Sequence, residues 1–170
     1  MFLLDTNVVS ELRKVHSGKA DAHVAAWADS VDAADLYLSV IALQELEIGV
    51  LLAERRDPAQ GAALRAWLSG HVLPAFAGRI LIVDAAVAQR SARLHVPDPR
   101  PLRDGLIAAT ALVHGMTVVT RNVTDFAPTG VPTLDPRVWP SSQADGPGAD
   151  PVPQGCATRA QCRIPAERET

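Results

Sequence analysis

Four carboxylates stand one each at points where the chain passes from strand to helix or enters a helix: Asp5 in FLLDTN, Glu45 in SVIALQELEIG, Asp104 in PLRDGLIAATA and Asp125 in TVVTRNVTDF. The carboxyl ends of parallel strands are where open α/β sheets gather ligands. Hard oxygen donors collected there suit Mg²⁺ or Mn²⁺. An acid cluster holding such an ion is equipment for hydrolysing a phosphodiester. No cysteine nucleophile, Ser–His pair or phosphate-cradling glycine loop stands out as a competing chemistry.

Each acid also has a structural explanation. Asp5 ends the apolar run Phe2-Leu3-Leu4 and could cap a helix, although Thr6 and Asn7 could cap equally well. On a wheel turning about 100° per residue, Gln44, Glu47, Glu54 and Arg55 share one face and Glu45 falls on the other, near Ile41, Ile48, Gly49 and Leu52. An acid on an apolar stripe is costly to bury unless it is paired or metal-bound, so Glu45 is expected to serve a site or to meet an arginine, with Glu47 as its solvated counterpart. Asp104 precedes the helix LIAATALVHG, where negative charge is favoured by the helix dipole, and the ligand and structural readings balance. Asp125 alone, in a polar loop, reads as a turn former. The joint placement of the four points to a site.

The elements that must position them alternate. Short buried strands are expected at Phe2–Leu4, Leu36–Leu38, Ile80–Val83 and Thr117–Thr120. Helical patterns follow at Asn7–Lys14, Val40–Arg55, Ala85–His95 and Leu106–His114, with two more at Ala22–Ser30 and Ala59–Leu68. Such alternation predicts an α/β fold, a mainly parallel sheet with helices on both faces. Ser39 is placed to cap the helix that carries Glu45. Gly115 is placed to close the one after Asp104. The run VPDPRP at 96–101 breaks the chain so that this helix starts afresh.

The 170 residues are 48% hydrophobic but only 4% aromatic, so the core must be built from Ala, Val, Leu and Ile. That length holds one domain with an appendage. The formal net charge of −3 lacks the basic footprint of many nucleic-acid binders, though Arg90, Arg93, Arg100 and Arg103 could form a positive rim. The opening MFLLDTNVV has no basic leader or long apolar run, and no stretch approaches the roughly 18 apolar residues of a membrane span. A cytoplasmic protein with no membrane anchor is expected. From Pro140 to Thr170 there are five prolines and three glycines in 31 residues and no apolar period. Residues 1–139 therefore read as the domain and 140–170 as a solvated, disordered tail. Cys156 and Cys162 both fall in that tail and read as incidental thiols.

The motifs MFLLDTNVVSEL, Ser39–Gly49 with its internal Glu45, RDGLIAATA and VVTRNVTDF together resemble the PIN-domain ribonucleases of the VapC toxin type, close to the FitB-like branch. The resemblance spans residues 1 to about 139. It implies a PIN-like fold with a parallel sheet of about five strands. It implies a Mg²⁺- or Mn²⁺-dependent endoribonuclease, the toxin of a type II toxin–antitoxin system, in which Asp5, Glu45, Asp104 and Asp125 bind the metal and carry catalysis. Thr6, Thr120 and Asn122 match the family's supporting positions. An RNA substrate, a homodimer and a cognate antitoxin are the partners implied. Two other readings stay open. One is a metal-dependent phosphatase, whose second acid would fall at Asn7; the other is a non-catalytic module that binds RNA or protein.

Overall fold

The computed structural model describes residues 1–15 and 18–140. Its centre is a five-stranded sheet in the order β3-β2-β1-β4-β5, with β1 at Phe2–Leu4, β2 at Leu36–Ser39, β3 at Ile80–Leu81, β4 at Thr117–Val119 and β5 at Thr133–Leu134. Every pairing is parallel. The helices are α1 (Thr6–Leu12), α2 (Ala22–Ser30), α3 (Val40–Arg56), α4 (Pro58–Trp67), a one-turn α5 (Leu73–Ala75), α6 (Ala85–Leu94), α7 (Leu102–His114) and α8 (Val123–Phe126). A π-helical turn, Leu68–Val72, joins α4 to α5.

Strand alternation sends successive side chains to opposite faces, and each central strand therefore feeds two cores. Leu4, Leu38 and Val119 pack with α1, α2, α3 and α4 around Val8, Trp27, Leu46 and Leu68. Leu3 and Val118 pack on the other face with Ile107, Ala108 and Ala111 of α7 and Phe126 of α8. The scarcity of large side chains brings helix backbones close together. At the α3–α4 crossing a Cβ on Gly61 would lie 2.3 Å from the Cα of Glu54.

The expected elements are present with altered ends. The third strand stops at Leu81 and the fourth at Val119, because only two or three residues of each find ladder partners. Helix α1 starts at Thr6 and ends at Leu12. Helix α7 starts at Leu102, directly after Pro101. The fifth strand, Thr133–Leu134, is too short to show a period and exists through its pairing with Val118–Val119. The expected caps are in place. Ser39 Oγ accepts from the Ala42 N–H at 3.0 Å, and Gly115 ends α7 at φ +65°. Among the described residues no helix is long and apolar enough to cross a membrane. Residues 141–170, with Cys156 and Cys162, lie outside the described residues, so the tail reading is an expectation from sequence.

Candidate active site

Sheet order reverses at β1: the chain moves outward through β2 and β3, then returns to lay β4 on the other side of β1. Crevices at the carboxyl ends of strands beside such a switch point are where ligands bind. Asp5 directly follows β1, and Thr120 directly follows β4. The Asp5 N–H donates to the Val119 carbonyl at 3.0 Å, holding the two strand ends together.

Asp5 is 8% exposed and both of its carboxylate oxygens are engaged. Oδ1 accepts from the Thr6 N–H at 2.7 Å, which makes Asp5 the N-cap of α1. Oδ2 accepts from the Thr120 hydroxyl at 2.6 Å and from Asn7 Nδ2 at 2.7 Å. The cap and the site are therefore one residue. Burial pushes the Asp5 carboxyl above its ordinary value; the Thr120 and Thr6 hydrogen bonds oppose that rise, and the charge of Glu45 adds to it.

Glu45 reaches this cluster from α3. Its Oε2 accepts from the Thr6 hydroxyl at 2.5 Å, so adjacent residues of α1 hold two of the acids. The environment of Glu45 differs from the expectation. The buried stripe of α3 is Ala42, Leu46 and Val50. On the other arc Ile41 packs against the second core, whereas Leu52 is 47% exposed. Helix α3 carries two apolar arcs, and periodicity alone cannot say how deeply each is buried. Glu45 thus sits at the rim, its side chain 22% exposed, and Arg103 Nη1 lies 3.3 Å from its Oε1. Glu47, expected to be solvated, is paired with Arg65 at 2.5 Å across the α3–α4 crossing.

Asp104 lies in the first turn of α7, two residues inside the helix start, and is not its N-cap. Asp125 lies in the short helix α8, not in a turn, and its N–H bonds to the Asn122 carbonyl at 3.1 Å. Burial raises the Asp104 carboxyl above its ordinary value, and the charges of Asp5, Asp125 and Glu45 raise it further, with Arg103 opposing them. The charges of Asp5, Asp125 and Glu45 thus all bear on Asp104, although their sequence positions span the domain. Thr6 and Thr120 join the network through their hydroxyls. Asn122 joins through its backbone N–H, which donates to Thr120 Oγ1 at 3.0 Å.

Among the described residues no group of three or more His, Cys, Asp or Glu side chains stands close enough together to hold a metal ion as it is. The donor chemistry nevertheless fits a small hard cation: every contributing group is a carboxylate, and their repulsion is only partly compensated. Mg²⁺ keeps several of its waters and needs only one or two direct carboxylates, so an open cluster suits it.

Three participants were not singled out as site residues from the sequence. Asn7 donates to Asp5 and to Thr120 Oγ1, and its Oδ1 accepts from the Arg121 N–H at 3.2 Å. Arg121 Nη1 pairs at 3.2 Å with Glu11, whose side chain is only 6% exposed. The hydrogen bond from Lys14 holds the Glu11 carboxyl below its ordinary value. Glu11 was findable by the same wheel argument as Glu45, because it lies among the buried residues Val8, Val9 and Leu12. Of the arginines expected to form a rim, Arg90 and Arg93 are exposed on α6. Arg100 is committed to the Leu94 carbonyl through Nε, and only Arg103 reaches an acid of the cluster.

The PIN domain family model matches residues 2–128. A VapC ribonuclease of Sinorhizobium fredii is 38% identical over 141 residues, which cover 80% of this chain and 97% of that protein. The crystal structure of FitAcB from Neisseria gonorrhoeae superposes with a TM-score of 0.74 at 37% identity, covering 82% of this chain and 100% of its counterpart. A toxin–antitoxin complex from Klebsiella pneumoniae matches with a TM-score of 0.55 at 26% identity, covering 80% and 98% respectively. The five-stranded parallel sheet, the sequence motifs and these similarities agree: the chain belongs to the PIN-domain family, in the branch that holds the VapC and FitB toxins.

Proposed function

We propose that this chain is the toxin of a type II toxin–antitoxin pair and acts as a Mg²⁺- or Mn²⁺-dependent endoribonuclease. The observation that carries the reading is the gathering of acids at the β1/β4 switch point: Asp5 held by Thr6 and Thr120, Glu45 held by the same Thr6, and Asp104 within the field of Asp5, Asp125 and Glu45. The name of the Sinorhizobium relative supports an RNA substrate. The Klebsiella complex supports an antitoxin partner. A homodimer in the cytoplasm accords with the family branch.

Asp5 and Asp104 are assigned as the primary metal ligands, with Glu45 and Asp125 completing the shell or orienting the attacking water. When bound, such an ion would supply charge neutralisation at the scissile phosphate and a lowered pKa for an attacking water. The protein's own part is orientation. Thr120 and Asn7 fix one oxygen of Asp5, and Thr6 aims Glu45 with its hydroxyl while its N–H donates to the other oxygen of Asp5. Thr120 is itself held by donors from Asn7 and Asn122. Preorganisation of this kind spares reorganisation during the reaction.

Asn7 disfavours the phosphatase alternative. It occupies the position where a second acid would be needed, and its amide donates to Asp5 as a neutral group. The deciding experiment incubates the full chain with end-labelled RNA and, separately, with p-nitrophenyl phosphate. The expected result is RNA cleavage that requires Mg²⁺ or Mn²⁺ and stops in EDTA, with no phosphate release from the nitrophenyl ester. Cleavage undiminished in EDTA, or phosphate release alone, would reject the assignment. RNA bound but never cut would favour the non-catalytic module.

A further inference from the structure

We propose that Arg103 is a two-position cation at the mouth of the site: it screens Glu45 while no metal ion is held there, and turns to a substrate phosphate once the ion engages Glu45. The inference rests on the metal-dependent ribonuclease reading above.

Arg103 is the second residue of α7. The N-terminal end of a helix carries partial positive charge and disfavours a cation, so the helix itself gives Arg103 no reason to be there. What it gains is Glu45, through a single contact of Nη1 to Oε1 at 3.3 Å, with its own side chain 55% exposed. A lone, long, half-exposed ion pair is weak in water. The neighbouring arginines are held differently. Arg121 pairs with the buried Glu11, its N–H donates to Asn7 at 3.2 Å, and its carbonyl accepts from Arg137 at 2.6 Å. Arg100 caps the end of α6 through the Leu94 carbonyl. Both serve the fold. Arg103 can leave its partner without loosening any packed element.

A divalent ion carries twice the charge of a guanidinium and outcompetes it for Glu45. The released side chain stays anchored beside Asp104 and so remains within reach of whatever occupies the site. There the arriving anion is the RNA backbone, and a planar guanidinium matches two phosphate oxygens, which an ammonium cannot do in the same way. The same residue would thus quiet the acid cluster in the metal-free protein and grip the substrate in the loaded one.

The test compares the full-length wild type with Arg103→Gln and Arg103→Lys, with melting curves confirming that each variant folds. Mn²⁺ affinity is measured by titration calorimetry without RNA. RNA affinity is measured by anisotropy of a fluorescein-labelled single-stranded oligonucleotide, over a salt series, with Ca²⁺ and with EDTA. Arg103→Gln should bind Mn²⁺ about two- to five-fold more tightly, the range an exposed ion pair allows. With Ca²⁺ it should bind RNA more weakly, and its log–log salt slope should fall by about 0.7, the value of one single-strand phosphate contact. In EDTA it should match the wild type. Arg103→Lys should keep wild-type Mn²⁺ affinity and recover only part of the RNA binding. Unchanged Mn²⁺ affinity in Arg103→Gln overturns the proposal, as does an equal loss of RNA binding with and without the divalent ion. If the wild type neither takes up Mn²⁺ nor cuts RNA, the ribonuclease reading falls with it; a wild type that does both while Arg103→Gln behaves identically removes the Arg103 role alone.

Discussion

Thr120 donates its hydroxyl hydrogen to Oδ2 of Asp5 across 2.6 Å, joining the ends of β4 and β1 over 115 positions of sequence. This bond is completely buried, and Thr120 also accepts from Asn7 and from the Asn122 N–H. Thr120→Val keeps the shape and removes all three contacts. Leaving buried polar groups unpaired should cost about 1–3 kcal/mol, read by chemical denaturation. Because this hydrogen bond holds the Asp5 carboxyl down against its burial, the acid limb of the pH–activity profile should move to higher pH. An unmoved limb would mean that Asp5 does not control the reaction.

Asp104→Asn removes the carboxylate on which the charges of Asp5, Asp125 and Glu45 all bear. It should abolish RNA cleavage while leaving the fold intact. Its effect on metal-free stability should depend on pH in one direction. The folded-state value of Asp104 is raised, so above it the carboxylate is ionised in both states and the folded protein carries the full cost of burial and repulsion. As pH falls through the raised value toward the ordinary one, proton uptake by the folded state relieves that cost. The melting temperature of the variant should therefore gain most over wild type at neutral pH, with the gain vanishing below the ordinary carboxylate range. A gain independent of pH, or retained nuclease activity, would contradict the assignment.

Glu45→Gln keeps an acceptor for the Thr6 hydroxyl and loses the charge. In EDTA the variant should melt within a degree or two of wild type, because the contact it gives up with Arg103 is half-exposed and weak. With Mn²⁺ present it should lose part of the cation-induced rise in melting temperature. A large destabilisation in EDTA would make Glu45 a structural ion-pair partner instead. Glu47→Gln, which touches Arg65 and none of the four acids, should retain wild-type cleavage.

Gly61→Ala should be among the more damaging single-methyl additions to the fold. The new Cβ would meet backbone atoms of Glu54 at 2.3 and 2.5 Å, and a helix backbone cannot rotate away as a side chain can. Overpacking of this kind costs about 1–3 kcal/mol or more, a loss of several degrees in melting temperature. A variant as stable as wild type would show that α4 can slide on α3.

Local signals determined much of this protein. The apolar runs before Asp5 and Asn122, the Ser39 cap, the Gly115 stop and the alternation of elements were legible because each depends on residues within one or two turns of one another. The motifs around the four acids were sufficient to place the chain in its family. Tertiary structure decided what depends on distant partners. Thr133–Leu134 is a strand only because β4 offers it an edge. Glu45 lies at the rim because packing made Ala42, Leu46 and Val50 the fully buried stripe of α3 and left the arc that carries Glu45 only partly covered. Asn7, Glu11 and Arg121 form a link between α1 and the end of β4, which no local pattern announces. The raised carboxyls of Asp5 and Asp104 follow from the same fact: desolvation and charge repulsion depend on distance in space, and only the fold buries these two acids and brings the first turn of α7 within the field of Asp5 at the end of β1.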